Sequence, residues 1–324
     1  MSTFLNSIQS VLVVVIIMIL GYILRKTGWF ADTFGANIAK FIKNIALPAS
    51  IFVSVLQKLT RDKLISFSSY LIWGIISVII GYIISYILVK VLKVRKGRRG
   101  VFINAIVNAN TIFIGLPLNL ALFGDNSMTY FLVYYIINTV STWAFGVFLI
   151  SNDDPTKENQ PKEKHHINWK QVLPMPLVGF LVALVFLLTN IPVLKVPFVA
   201  QSLGYVGSLV TPLSLIYIGI VLADAGLKSI RFDRDTVVAL LGRFVMSPVV
   251  MIILMIIAGH MVPDLPKLLS QTMIIQSATP MLAVLPILAA DAHGDVKYAT
   301  NIVTTSTVLF IVVIPILMTI IQYI

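Results

Sequence analysis

Residues 108–119 read NANTIFIGLPLN, a run of asparagine, glycine and proline inside an apolar segment long enough to cross a bilayer. Each asparagine carries hydrogen-bonding groups that hydrocarbon cannot satisfy, and proline removes a backbone donor from a helix. Irregular backbone at this depth is tolerated where it is buried in protein or lines a cavity. The stretch therefore predicts an interrupted membrane helix, with the break near Gly115 and Pro117.

The composition around this stretch is that of an integral membrane protein. Of 324 residues, 58% are hydrophobic and 11% are charged, with a mean hydropathy of +0.96, whereas soluble domains carry about 25% charged residues. The chain has no cysteine, which excludes disulfides and thiolate metal sites. The net charge of +11 comes from basic residues between the apolar runs, where membrane topology explains them better than nucleic-acid binding does.

Ten apolar runs are long enough to be membrane helices, since about 20 residues span the hydrocarbon core. They cover residues 5–24, 38–56, 64–92, 101–123, 128–150, 172–191, 199–222, 237–258, 268–290 and 299–324. Continuous rather than alternating hydrophobicity favours helices over a barrel. We therefore predict an all-α integral membrane protein with ten transmembrane helices.

The positions of lysine and arginine predict the orientation of these helices. With the N-terminus outside, Arg243 lies within a span, and five of the 24 basic residues fall in outside loops: Lys58, Arg61, Lys63, Lys195 and Lys267. All the others then fall in inside loops. Because positive charge accumulates on the cytoplasmic side, we expect both termini to lie on the outer side of the cytoplasmic membrane.

A polar stretch at residues 151–170, SNDDPTKENQPKEKHHINWK, has the composition of a solvated cytoplasmic linker. It separates residues 1–150 from residues 171–324, and each part holds five spans, so the two parts have opposite orientations. ALPAS in the second span matches VTPLS in the seventh, and GLPLNLALFGD in the fourth matches VLPILAADAHGD in the ninth. We predict two inverted five-helix repeats, in which broken helices four and nine meet near the midplane.

A candidate binding site follows from these breaks. The N-terminal ends of the two second half-helices each offer about half a positive charge, which suits an anion. Asn104, Asn108 and Thr111 share one face by i, i+4, i+7 spacing, although such amides can also serve only to join helices. Arg243 either extends to the membrane surface or faces the cavity and attracts an anion. The candidate substrate-binding residues are Ser50, Asn108, Asn110, Thr111, Gly115, Pro117, Asn119, Ser214, Arg243, Gln276, Ser277, Thr279, Pro280 and Pro286.

The motif NTIFIGLPL resembles the crossover motif of the auxin efflux carrier family, which contains plant auxin carriers and bacterial malate or malonate permeases. IALPAS, LSLIYIGIVLA, IIQSATPMLAVLPILA and IVVIPIL extend the similarity along the chain. The resemblance implies crossed broken helices, a scaffold of helices one, two, six and seven, elevator-like movement of the remaining helices, and a homodimer. It matches Asn110 to the asparagine that contacts the substrate carboxylate and Pro117 to the crossover proline. The short stretch at 151–170 favours a bacterial-type member.

These features predict a secondary transporter of a small organic anion, with a malate-like dicarboxylate favoured by the resemblance. The alternatives are a carrier of an aromatic, auxin-like acid and a membrane receptor that binds without transport. An enzyme is disfavoured because no GxSxG, HExxH or paired intramembrane aspartates occur. We predict no metal site and no cofactor, and leave the coupling ion open between a proton and sodium held by broken-helix carbonyls. Membrane lipid is the remaining expected partner.

Overall fold

A computed structural model describes residues 2–157, 175–226 and 230–322, where the regular elements are helices. They are α1 (Ser2–Lys26), α2 (Phe34–Lys58), α3 (Arg61–Val91), α4 (Arg99–Val107), α5 (Thr111–Phe123), α6 (Asp125–Ser151), α7 (Met175–Thr189), α8 (Pro197–Ala225), α9 (Arg234–Met261), α10 (Lys267–Ser277), α11 (Leu285–Asp291) and α12 (Val296–Ile320). The predicted all-α class is confirmed for these residues. Most of the predicted linker, from residue 158 onward, lies outside the described residues.

Several of these helices are suited to a bilayer. Within the described part of the chain, six stretches are long and apolar enough to cross a membrane: α2, Ser69–Val91 of α3, α6, α8, α9 and α12. The apolar helices α5 and α7 are shorter. Ile79, Ile83, Val185 and Ile253 each expose about half of their surface, although they are large and apolar. Such outward faces fit contact with lipid, so the chain is a membrane protein with several apolar helices.

Three prolines widen a helical turn instead of breaking the helix. A π-turn ends two residues before each of them, with Ile42–Ala46 before Pro48, Thr111–Gly115 before Pro117 and Gly242–Met246 before Pro248. Proline lacks the N–H that would bond four residues back, and its ring collides with that carbonyl, so a wider turn accommodates it. The predicted break at Gly115 and Pro117 is therefore wrong, because α5 continues through both residues.

The chain leaves helical geometry elsewhere, at residues 108–110 between α4 and α5 and at residues 278–284 between α10 and α11. Asn108 is extended, with φ −101° and ψ 129°. Asn110 caps α5, since its Oδ1 accepts a hydrogen bond from the Phe113 N–H at 3.2 Å. Short polar side chains that bond nearby backbone compete with helix continuation, which explains why the asparagines rather than the proline mark the first break.

Close backbone contacts join α1, α2, α7 and α8 into one packed group. Gly21 of α1 and Gly219 of α8 each lie directly against the backbone of the other helix. Gly179 of α7 lies against Pro48 of α2, and Gly207 of α8 packs on the same helix. Small residues at crossing points let membrane helices approach this closely. We call these four helices the first group.

We call the remaining helices the second group, and an ion-pair cluster joins three of them, α4, α9 and α12, at one end. Arg98, just before α4, donates to Asp233 at 2.9 Å and to Asp295 at 2.6 Å, and so ties α4 to the starts of α9 and α12. Partial burial acts to raise the pKa of Asp295. Hydrogen bonds from the Tyr298 N–H, Arg98 and Arg95 outweigh it and hold that pKa below its usual value. The cluster is therefore ionised at neutral pH.

Candidate functional site

The two breaks lie against each other inside the second group. Ala109 and Met281 form an isolated antiparallel bridge. The Asn110 N–H donates to the Pro280 carbonyl at 2.9 Å. Each break leaves backbone groups without helical partners, and this contact satisfies part of that requirement. The structure thus brings Asn110 and Pro280 together from residues 170 apart in the sequence.

Two polar side chains from neighbouring helices hold the breaks in place. The Ala109 N–H donates to Asn138 Oδ1 at 2.8 Å, and Asn138 Nδ2 donates to the Ala109 carbonyl at 3.0 Å. On the other side, the Met281 N–H donates to Ser306 Oγ at 3.1 Å. Sequence reasoning missed both Asn138 of α6 and Ser306 of α12. The available signal was a polar side chain in the middle of an apolar span.

Arg243 of α9 is fully buried and joins the ends of two helices. Its Nε donates to the Thr279 carbonyl at 2.7 Å, and its Nη1 donates to the carbonyls of Ile106 and Val107 at 3.0 and 3.2 Å. Its Nη2 lies 3.5 Å from the Gln276 carbonyl. These carbonyls lie at, or just beyond, the C-terminal ends of α4 and α10, where the helix dipole favours a cation. Of the two predictions for Arg243, extension to the membrane surface is wrong.

Asn108 has protein partners for both ends of its amide. Its Nδ2 donates to Asn104 Oδ1 at 2.7 Å, and its Oδ1 accepts from Ser141 Oγ at 2.6 Å. Asn104 Nδ2 in turn donates to the Gly146 carbonyl at 2.9 Å, so this network joins α4 to α6. Thr111 lies beyond the break, and the predicted common helical face of Asn104, Asn108 and Thr111 is therefore wrong.

Other candidate residues carry buried polar atoms that have no hydrogen-bond partner. These atoms are Asn110 Nδ2, Asn119 Oδ1, Ser214 Oγ and Gln276 Oε1. Asn110 and Gln276 lie beside the same turn, because Asn110 caps it and Gln276 Nε2 donates to the Gly115 carbonyl at 2.9 Å. Buried polar atoms in proteins are nearly always paired, so unpaired ones mark a place for a ligand or solvent.

Helix α8 of the first group contacts this region. Its Tyr217 ring lies 4.6 Å from the Phe113 ring, measured between centroids. Ser214 lies three residues before Tyr217 and so shares a helical face with it. The candidate site therefore lies where the first group contacts the second group.

The remaining candidates lie around this region without unpaired side-chain atoms, or at a distance from it. Ser277 and Thr279 hydroxyls donate to carbonyls of their own turn, at Ile274 and Gln276. Asn119 Nδ2 donates to Ser127 Oγ at 2.7 Å. Asn119 is nine positions after Asn110 in the sequence, a rise of about 13.5 Å along a helix. The structure thus places Asn119 away from the breaks.

Three further candidates lie at helix starts or on a packing surface. Thr111 begins α5, where its hydroxyl lies 3.5 Å from Asn138 Nδ2. Pro286 lies in the first turn of the seven-residue helix α11. Ser50 is partly buried on α2, where Gly207 contacts its backbone.

Within the described residues, no group of three or more histidine or acidic side chains could hold a metal ion.

Comparison with known proteins finds sequence similarity along nearly the whole chain. The sequence profile of a family described as membrane transport protein matches residues 6–318. An uncharacterized transporter of Methanothermobacter thermautotrophicus is 25% identical over 317 residues, covering 96% of this chain and 97% of the relative. An uncharacterized transporter of Methanocaldococcus jannaschii is 22% identical over 240 residues, covering 74% and 75%. The chain therefore belongs to the membrane transport protein family, the family of the auxin efflux carriers that its sequence resembles.

Proposed function

We propose that this membrane transporter carries a small organic anion with a carboxylate group, and that the anion binds beside the first break. The observation that carries the proposal is the buried, unpaired Nδ2 of Asn110. The other end of the amide is occupied, since Oδ1 caps α5. The amide orientation therefore leaves a donor free, and a carboxylate oxygen is the acceptor that a buried donor binds well.

Charge supports the same choice of substrate. Asn110 lies at the N-terminal end of α5, where the helix dipole favours an anion. Arg243 adds a buried positive charge, and its guanidinium donates to the neutral carbonyls of Thr279, Ile106 and Val107. Within the described residues, no carboxylate forms a salt bridge with Arg243. An anionic substrate would supply the missing negative charge.

The proposed transport mechanism is an elevator in a homodimer. Helices α4 and α5 together form one membrane segment and α10 and α11 another, which gives ten segments in two inverted repeats. Asn138 and Ser306, from the helices that follow these segments, support the two breaks in corresponding ways. The second group would move against the first group and carry the site across the membrane. A proton or sodium gradient would supply the energy.

The chemical identity of the anion has two candidates. Resemblance to malate or malonate permeases favours a small dicarboxylate. An aromatic acid is the alternative, because an open apolar groove of about 760 Å3 between α3 and α6, lined on the lipid-facing side by Ile79, Ile83 and Phe145, offers an apolar surface to its ring. The groove reaches Ser141, which bonds Asn108 at the first break. An aromatic acid could lie in this groove with its carboxylate toward the break.

A transport assay tests the proposal. Thermal-shift screening of organic acids, including L-malate and indole-3-acetate, comes first, and uptake of the stabilising acid into proteoliposomes follows, with proton or sodium gradients applied separately. We expect Asn110→Ala to weaken binding by about ten- to 150-fold, the effect of losing a hydrogen bond to a charged group. Asn126→Ala, at an exposed asparagine that accepts a hydrogen bond from Lys58, is the control and should bind nearly as the native protein does. Binding without uptake would favour a receptor, and native affinity in Asn110→Ala would refute the site.

A further inference from the structure

In the side-chain amide of Gln276, on α10, the nitrogen has a hydrogen-bond partner and the oxygen has none. The residue is fully buried, and its Nε2 donates to the Gly115 carbonyl at 2.9 Å. Because a carbonyl accepts only from the nitrogen, this bond fixes which end of the amide is which. Oε1 is left without a donor. Gln276 therefore offers a free acceptor at the turn that Asn110 caps, and Asn110 offers a free donor at the same turn.

We propose that Gln276 Oε1 accepts a hydrogen bond from a hydroxyl of the substrate, so that the substrate is a hydroxycarboxylate. The inference rests on the proposed function, since it assumes that a carboxylate binds at Asn110. An ionised carboxylate only accepts hydrogen bonds, so it cannot donate to Oε1. A substrate that pairs Oε1 must carry a separate donor group, such as a hydroxyl. Gln276 is then a residue that determines specificity.

A neutral donor fits Oε1 better than a cation does. The Arg243 guanidinium lies 3.5 Å from the backbone carbonyl of the same Gln276, so a metal ion at Oε1 would sit near a fixed positive charge. The described residues also offer no cluster of carboxylates there. A water molecule could pair Oε1 when substrate is absent. A substrate that displaces this water without replacing its hydrogen bond would bind more weakly.

The neighbouring turn leaves room for this arrangement only because residue 115 is glycine. A Cβ on Gly115 would collide with Gln276 Oε1 and would also approach the Asn110 carbonyl, at 3.3 Å. Gly115→Ala must therefore push the Gln276 amide away from its present position. This variant moves the acceptor without changing its chemistry, and provides a second test that leaves Gln276 in place.

The test compares acids that differ by one hydroxyl, namely L-malate against succinate and L-lactate against propionate. Affinities are measured on the full-length protein by calorimetry, with sodium present and absent. The native protein should bind the hydroxylated acid of at least one pair about tenfold more tightly. Gln276→Met should abolish this ratio, and Gly115→Ala should reduce it. Gln271→Met, on the same helix, is the matched control.

The ratio separates specificity from structural damage, since a damaged site would weaken both acids of a pair equally. Equal binding of both acids by the native protein would overturn the role of Gln276 and leave the proposed function standing. An unchanged ratio in Gln276→Met, or a ratio that disappears from the native protein when sodium is removed, would overturn it as well. Failure of every acid to bind would overturn both the carboxylate site and the inference that rests on it.

Discussion

Replacement of Arg243 by lysine should destabilise the protein strongly, although it keeps the charge. The guanidinium donates to three carbonyls within 3.2 Å, from Thr279, Ile106 and Val107, which end two different helices. A lysine ammonium is a single point and cannot span both helix ends as the planar guanidinium does. Loss of two of these bonds at about 1.5–3 kcal/mol each lowers the free energy of unfolding by about 3–6 kcal/mol.

Equilibrium unfolding in detergent, followed by the fluorescence of the four tryptophans, measures this change. Ser247→Ala is the internal control, because Ser247 Oγ donates to the same Ile106 carbonyl at 3.0 Å. That carbonyl keeps Arg243 when Ser247 is removed, so the loss should be only about 0.5–1.5 kcal/mol. If Arg243→Lys unfolds within 1 kcal/mol of the native protein, or costs no more than Ser247→Ala, then Arg243 does not hold the two helix ends together.

Three other predictions follow from packing, charge and topology. Gly219→Ala should lower the unfolding temperature, because its methyl group would collide with the α1 backbone at Met18. Gly204→Ala in the same helix meets no atom within 4 Å and should be neutral or mildly stabilising. Equal unfolding temperatures for the two variants would contradict the close crossing of α1 and α8. The lowered pKa of Asp295 contributes stability that is present above the unfolded value of about 3.9 and is lost as pH falls through the folded value. Arg98→Gln should therefore reduce the loss of stability between pH 6 and pH 3, measured by thermal melting, and an unchanged loss would refute the linkage. Finally, a cysteine at the exposed Asn126 should react with an impermeant thiol reagent from outside intact cells, and one at the exposed Asn152 only after permeabilisation. The reverse pattern would overturn the predicted orientation.

The sequence alone determined the class of the protein and the stretch, residues 108–119, that holds the first helix break. Hydrocarbon requires long apolar runs with internally bonded backbone, and this requirement is visible in composition and run length. Asparagine inside such a run is equally visible, because its burial is costly unless it is paired or used. Run length and the presence of asparagine are both local properties of a segment, so they can be recognised without knowing any tertiary contact. Residues 108–119 therefore indicated an interrupted helix, and their motif indicated the resemblance to a transporter family.

Only the tertiary structure decided where the helix breaks and what Arg243 does. The proline predicted a break at Pro117, but a wider helical turn accommodates it. The helix is interrupted instead at residues 108–110, where the Pro280 carbonyl of the second break accepts a hydrogen bond from the Asn110 N–H. Arg243 lies 137 residues from Ile106 and 36 from Thr279, and its role depends on both of those carbonyls. A sequence shows which groups need partners, whereas the fold alone determines which distant groups provide them.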